Sequence, residues 1–490
     1  MGNAHRFIYT VQIRSLRKSC TNTTVNQPSV NLPVGCPQIP QTIQLRPYQQ
    51  QAVASWFANQ GRGTLKMATG SGKTITALAI ATELYHQIAL QVLVVICPYR
   101  HLVTQWGREC EKFNLQPILA FENVRNWQSL LSTQLYNICA GNQRFLTVIA
   151  TNSTLIKDGF QSQLKYFPEK TLIVGDEVHN LGTTRVEESL PRHLGLRLGL
   201  SATPERHFDE RGTDSIFQYF GSVLPPELNL EDAIRLGALV NYLYYPILVE
   251  LTEAESIIYH KLTSRIGWAL KKNPDSDIDD SEFLTGLLIQ RSRLIGNAQN
   301  KLTALKQIMS NRLHTSHTLF YCGEGSVPSL EDAIDHPHET ERQFTAVSRI
   351  LGLELGYRIN TYTAETPLQQ REELRRQFET GELQGLVAMR CLDEGVDIPA
   401  IRTAVILASS TNPRQFIQRR GRILRPDPGK EYATLFDTIV TPPNLNRDPL
   451  AIERNLLRKE LKRFLEFAKL AQNADSACAT LRKVESQYGL

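Results

Sequence analysis

Acid is missing from the start of this chain. Residues 1–82 of the 490 contain no Asp or Glu, but carry Arg6, Arg14, Arg17, Lys18, Arg46, Arg62, Lys66 and Lys73. An acid-free basic start fits an organelle transit peptide, an arm that binds polyanions, or a leader with no role. Residues 1–41 are polar, punctuated by proline and aperiodic, and the last reading, a disordered basic leader, is the one taken here. Gly2 does not begin a myristoylation signal, because Arg6 stands where Ser or Thr is required. No apolar run approaches the roughly 18 residues of a membrane-spanning helix, so no membrane partner is expected. The eight cysteines, at 20, 36, 97, 110, 139, 322, 391 and 478, form no CxxC pair, which argues against a zinc site or disulfide framework and suits a reducing cytosol. A metal-nuclease cluster is also lacking. What remains is ordinary for a soluble globular protein, with 41% hydrophobic and 21% charged residues, a net charge of +5 and length for two or three domains.

Around residues 67–74, Met-Ala-Thr-Gly-Ser-Gly-Lys-Thr, the rest of the chain is organised. Glycines there let successive backbone N–H groups wrap a phosphate. Thr69, Gly70, Ser71 and Gly72 would form the cradle, Lys73 would reach the β/γ-phosphates, and the Thr74 hydroxyl would hold Mg²⁺. Ile75, Ala77, Leu78, Ile80, Ala81 and Leu84 then make an apolar helical stripe, so the loop opens a helix whose N-terminal dipole favours anions. The strict pattern wants glycine where Met67 stands, which leaves a flexible Gly/Ser turn as a competing reading.

Short apolar runs alternate with amphipathic helices on either side of this loop. Residues 48–57 read as a helix; 92–96, 146–150, 171–174 and 198–201 read as buried strands. A second series, 317–321, 385–389, 403–407 and 433–436, has no phosphate loop of its own. The expected class is α/β, with two parallel sheets covered on both faces. Between them, Tyr242–Leu251 is apolar and β-rich, and residues 253–315 have helical period with an acidic interruption at Asp275–Asp280. Residues 323–340 read as a surface loop. After Pro442-Pro443, the face bearing Leu457, Leu461, Phe464, Leu465 and Ala468 opposes Arg458, Lys459, Lys462, Arg463 and Lys469, a basic amphipathic helix expected to dock on the fold.

Further signals accompany the loop. Asp176, Glu177 and His179 follow the strand 171–174, at the rim where open α/β sheets bind ligands, placing Asp176 to hold Mg²⁺ and Glu177 to activate water. Ser201-Ala202-Thr203 ends another strand; its hydroxyls can bond Asp176 or His179 and couple the site to motion, or form a simple ST-turn. In Gln418-Arg419-Arg420-Gly421-Arg422-Ile423-Leu424-Arg425, Arg422 and Arg425 are spaced to share one helix face, as arginines that stabilise transition-state charge.

Together these residues resemble the superfamily 2 helicases and translocases, the DEAD/DEAH-like motors, over roughly residues 43–445. The likeness is to double-stranded-DNA translocases of the excision-repair and type III restriction kind and to bacterial genome-defence DEAD/DEAH-box proteins. The short loop without the first glycine is that superfamily's usual form. The resemblance implies tandem RecA-like domains: leader 1–41, domain 1 at 42–240, a linker strand and helical insertion at 241–315, domain 2 at 316–445 and a helical tail at 446–490. It implies that Lys73, Glu177, Arg422 and Arg425 act in ATP hydrolysis and that Gln49 reads adenine. It further implies that Gly395 and Asp397 line the nucleotide cleft, and that His179, Ser201, Thr203 and Gln418 couple it to movement. Arg100, Gln105, Thr151 and Thr363 fall in the strand-tracking segments, although Trp106 in the same stretch is read first as core. The implied function is an ATP- and Mg²⁺-dependent motor on DNA, duplex preferred and single strand next, in repair, restriction or genome defence, in a bacterial cytosol or nucleoid. A nuclease or other defence or repair subunit is the implied partner. An RNA helicase and a nucleotide-gated DNA-binding subunit are the alternatives.

Overall fold

The structure, a computed structural model, describes residues 34–206, 209–272, 282–323, 343–363, 366–389, 398–408, 413–441 and 451–490. Its contacts divide the chain into two compact units, Met1–Asp232 and Ala233–Leu490. Gly395, Asp397, the acidic interruption at Asp275–Asp280, residues 324–340 of the expected surface loop and residues 1–33 of the leader lie outside the described residues.

The first unit is a seven-stranded sheet of β1 (Arg62–Met67), β2 (Val92–Cys97), β3 (Pro117–Ala120), β4 (Leu146–Thr151), β5 (Thr171–Asp176), β6 (Leu196–Ser201) and β7 (Val223–Leu228). The order is β3-β4-β2-β5-β6-β1-β7, with every pairing parallel. Its longer helices are α1 (Pro47–Ala58), α2 (Lys73–Ile88), α3 (Arg100–Lys112), α4 (Gln128–Cys139) and α5 (Glu210–Phe220). Strands β2, β4, β5 and β6 are buried at every residue, as strands covered on both faces must be. The charged exception in β6 is Arg197, whose guanidinium donates to Leu194 O, Tyr219 O and Arg192 O and stacks on the Tyr219 ring. Residues 35–38, within the stretch read as leader, are tied to this unit: Gly35 N donates to Asn114 O and Gln38 N to Phe113 O, each at 3.0 Å.

The second unit has six strands, β8 (Asn241–Glu250), β9 (Thr318–Cys322), β10 (Ile359–Tyr362), β11 (Gly385–Met389), β12 (Thr403–Ile406) and β13 (Tyr432–Thr441), in the order β10-β11-β9-β12-β13-β8, again all parallel. Strand β8 pairs with β13 along its whole length, from Asn241 opposite Tyr432 to Glu250 opposite Thr441. The helices are α6 (Glu253–Lys272), α7 (Glu282–Gly296), α8 (Asn300–Ser310), α9 (Leu368–Glu379), α10 (Pro413–Ile423), α11 (Ala451–Lys469) and α12 (Ala474–Tyr488). Helix α8 packs Leu305, Ile308 and Met309 on the sheet, while α6 and α7 enclose a cluster of Tyr259, Leu262, Ile266, Leu284, Leu287 and Leu294 that reaches Val440. The tail docks, as its apolar face foretold. Leu457, Leu461, Phe464 and Ala468 are buried, Phe467 stacks on Tyr242, and the Tyr242 hydroxyl donates to Phe467 O.

Candidate functional site

Sheet order decides which motifs can meet. In the first unit β5, β6 and β1 are adjacent and parallel, so all three end on the same edge. The loop Ala68–Gly72 leaves β1, Asp176–His179 leaves β5 and Ser201–Thr203 leaves β6. Side chains far apart in sequence are thereby brought to one rim.

The loop is tight and held from outside. Gly70 and Gly72 adopt φ of 87° and 85°, where a side chain is strained, and a Cβ on Gly72 would lie 2.5 Å from Gln49 Nε2. Gln49 Nε2 faces Ser71 O at 3.5 Å and Gly72 O at 3.3 Å, while its Oε1 accepts from Arg46 N. The Tyr48 hydroxyl donates to Ser71 O at 2.8 Å. Lys73 Nζ lies 3.1 Å from Met67 O and 3.5 Å from Ala68 O, folded over the loop's own carbonyls. The Thr69 hydroxyl oxygen is buried without a hydrogen-bond partner, a cost that a phosphate oxygen at the loop would remove. Gly72 caps α2, whose first residues are Lys73 and the partly buried Thr74.

Asp176 ends β5 and is 7% exposed. Its Oδ1 accepts from Glu177 N at 3.0 Å and its Oδ2 from Trp106 Nε1 at 2.8 Å. Burial, then the neighbouring Glu177 carboxylate, push its pKa up to about 6, offset in part by the Trp106 N–H and by Lys73. Glu177 itself has φ of 48°, a left-handed conformation uncommon outside glycine and concentrated where function demands it. That twist turns its carboxylate toward β6. Glu177 Oε2 lies 3.5 Å from Ser201 Oγ and 3.5 Å from His179 Nδ1, and His179 Nδ1 is 3.1 Å from Ser201 Oγ. Asn180 Nδ2 faces His179 Nε2 at 3.1 Å, which makes that nitrogen the acceptor and puts the ring proton on Nδ1. Ser201 Oγ also accepts from Thr203 N at 3.1 Å. The result is a relay from Asn180 through His179 and Ser201 to Glu177. Arg206 clamps the far side, donating to His179 O and pairing with Asp209 at 2.6 Å.

The donor set suits Mg²⁺. Among the described residues no group of three or more His, Cys, Asp or Glu side chains could hold a metal alone. The site offers a hydroxyl and a buried carboxylate, hard oxygens of the kind that share Mg²⁺ with substrate phosphates and water. Two acidic neighbours, one deeply buried, also call for a cation there.

Other expected site residues separate into groups. Arg100, at the start of α3, is 68% exposed and faces Glu122 at 3.5 Å; Gln105, on the same helix, is partly buried. Thr151 is buried, and its hydroxyl caps the short helix Asn152–Leu155 by accepting from Thr154 N. Thr363 follows β10, its N–H bonded to Thr366 Oγ1. In the second unit Gln418 and Arg422 are buried on α10. The shared helix face expected for Arg422 and Arg425 is corrected: α10 ends at Ile423 and Arg425 lies beyond it. The Lys430 ammonium donates to Ile423 O at 2.7 Å, a last-turn carbonyl the helix leaves open, and to Arg425 O at 2.8 Å beyond it. Arg419 stacks over Tyr321 and Arg420 pairs with Asp437 in the core, so these two serve the fold. The contacts made by Tyr48 and Trp106 were not foreseen. A buried indole N–H needs an acceptor, but nothing in the local sequence names one.

Two family profiles match the chain: one described as type III restriction enzyme, res subunit, over residues 42–206, and one described as helicase conserved C-terminal domain, over residues 301–427. The DNA 3'-5' translocase XPB2 of Sulfurisphaera tokodaii is 26% identical over 83% of this chain and 83% of its own. The putative DNA 3'-5' helicase Rad25 of Haloarcula marismortui is 26% identical over 78% of this chain, which spans 51% of that protein. Among solved structures, the DNA-bound type ISP restriction-modification enzyme LlaBIII superposes with TM-score 0.53 at 17% identity, over 88% of this chain and 30% of that one. The Hef helicase domain of Pyrococcus furiosus does so at 0.50 and 17%, over 81% and 96%. At such identities the superpositions speak for the fold.

Proposed function

From the premise that the chain belongs to superfamily 2 of the helicases and translocases, we propose that it is an ATP-driven motor on DNA, with duplex DNA as its track. The observation that carries this reading is the convergence, on one sheet edge, of the phosphate loop with the hydrogen-bonded group Asp176, Glu177, His179 and Ser201. The names of the relatives, a DNA translocase and a DNA helicase, support DNA over RNA.

In this mechanism Lys73 leaves the carbonyls of Met67 and Ala68 for the phosphates, and the N–H groups of residues 69–73 cradle them. Mg²⁺, when bound, neutralises charge developing on the transferred phosphoryl group. Thr74 and Asp176 would hold it. Glu177 orients and deprotonates the attacking water; His179 and Ser201, bonded to it, fix where its carboxylate points. Arg422 and Arg425 of the second unit are assigned to transition-state charge, and Ser201–Thr203 to carrying the state of the site into domain movement.

The test is steady-state ATPase activity without polymer and with single-stranded DNA, duplex DNA or RNA, at two salt concentrations. Stimulation by duplex DNA that falls with salt, and is abolished by Lys73→Ala, is expected. Glu177→Gln should keep nucleotide binding while turnover falls by about 10²–10⁴-fold. Stimulation by RNA alone would overturn the DNA assignment, and unchanged turnover in both variants would overturn the site.

A further inference from the structure

Among the described residues three tryptophans are buried, and they meet different fates. Trp56 Nε1 donates to a backbone oxygen, that of Arg197, at 3.0 Å. Trp127 Nε1 has no partner. Trp106 alone gives its N–H to a side-chain carboxylate, Asp176 Oδ2, 70 residues away in sequence and 2.8 Å away in space. The fold accepts an unsatisfied indole at Trp127, so burial by itself does not account for the bond at Trp106. As packing, residue 106 is one of a stripe, Leu102, Val103, Trp106, Gly107 and Cys110, that any large apolar side chain could serve. What tryptophan adds is the donor.

The position of that donor is what matters. Helix α3 begins at Arg100, directly past the end of β2, which is the sheet neighbour of β5, with Ile96 opposite Gly175. Asp176 therefore accepts one hydrogen bond on each oxygen, from its own strand-end turn through Glu177 N and from α3 through Trp106. Each oxygen keeps a further acceptor direction, but the carboxylate plane is pinned. The same helix carries Arg100 at its exposed start and the partly buried Gln105 beside the tryptophan, the two residues that the family resemblance assigns to the polymer. A helix moves as a rigid element, so a displacement at its N-terminal turn reaches the indole.

We propose that Trp106 is a positioning residue that ties the polymer-facing helix α3 to the carboxylate that holds the metal. The proposal rests on the nucleotide-site reading above. Through its N–H, Trp106 sets the orientation of Asp176 for Mg²⁺·nucleotide, and polymer contact on α3 alters that orientation.

The test uses the full chain and a fluorescent ADP analogue titrated with Mg²⁺. Trp106→Phe keeps an aromatic ring and removes the donor. It is expected to need about tenfold more Mg²⁺ for the same nucleotide affinity, the scale of a hydrogen bond to a charged group. Affinity for the nucleotide in EDTA should be unchanged, and the ratio of polymer-stimulated to unstimulated kcat should fall. A merely structural role would lower metal-free and metal-bound affinity alike. An unchanged Mg²⁺ requirement in Trp106→Phe overturns the link. Lys73→Ala, run alongside, separates the failures: if it also leaves Mg²⁺·ADP binding intact, the nucleotide site itself is misassigned. Should Trp106→Phe not fold, the wild-type protein serves. It has four tryptophans, and the ¹⁵N–¹H indole signal of Trp106, assigned by replacing the other three one at a time, should shift with Mg²⁺·ADP and again with duplex DNA, but not with ADP in EDTA. An indole signal indifferent to Mg²⁺ overturns the proposal.

Discussion

Asp176 is the residue on which the site's energetics turn. It holds its proton more tightly in the fold than in an unfolded chain, with a value pushed up to about 6 by burial and by Glu177. The stabilisation linked to this group is therefore full below the ordinary carboxylate value and is lost as pH rises from there through about 6. A bound cation prefers the ionised form and reverses the sign, so metal must displace the proton whenever the pH lies below that point. The Mg²⁺-dependent part of ADP affinity is accordingly expected to weaken as pH falls from 7 to 5, by up to about tenfold per pH unit below the midpoint. Titrating ADP with and without Mg²⁺ across that range isolates the metal-dependent part from the nucleotide's own ionisation. In Glu177→Gln the like-charge repulsion is gone, and the midpoint should move to lower pH. A midpoint that stays in place would mean that Glu177 does not press on Asp176.

At the scale of elements, what the sequence reveals depends on whether a segment is defined by its neighbours in sequence or in space. Strands β2, β4 and β5 were legible because both faces are buried, so they are continuously apolar. Strand β1, Arg-Gly-Thr-Leu-Lys-Met, lacks a continuous apolar run because Arg62 and Lys66 interrupt it, and edge strand β7 is masked because Pro225 and Pro226 sit where only an edge tolerates proline. The phosphate loop and the Asp176–His179 turn are local and were readable; the bonds from Tyr48 to Ser71 and from Trp106 to Asp176 are products of folding and were not. Helix α10 shows the same divide. Its arginines form one run in sequence, but Arg420 is buried against Asp437, which also accepts from the Tyr244 hydroxyl at 3.0 Å, and is covered by Phe416 and by Phe467 of the tail. Asp437→Ala leaves a buried guanidinium uncompensated and is expected to cost about 3–5 kcal/mol in urea unfolding. Replacing the group together, Arg420→Met with Asp437→Leu and Tyr244→Phe, should cost less, since the guanidinium and the Tyr244 hydroxyl leave with the carboxylate and only buried Lys301, which also feels Asp437, loses a compensating charge. An equal loss in both would show that packing, not the charge, holds α10.

For the whole molecule, net charge decides little at +5, so any grip on a polyanion must come from placed cations. Arg100 is the cation of the first unit that the family resemblance assigns to the polymer. It is exposed at the N-terminal turn of α3, and its contact with Glu122 at 3.5 Å is a surface pair of the kind worth under about 1 kcal/mol, easily exchanged for a phosphate. Thr151, by contrast, spends its hydroxyl on the cap of its own helix. Phosphate contacts of this sort release counterions, so the DNA concentration for half-maximal ATPase stimulation should rise steeply with salt, and Arg100→Ala should lower the log–log slope by about 1. The change should be uniform across sequences, because a phosphate carries no base information. A slope untouched by Arg100→Ala would place the strand elsewhere on the molecule. A loss that depended on base sequence would make Arg100 a reader of bases and overturn its assignment to a phosphate.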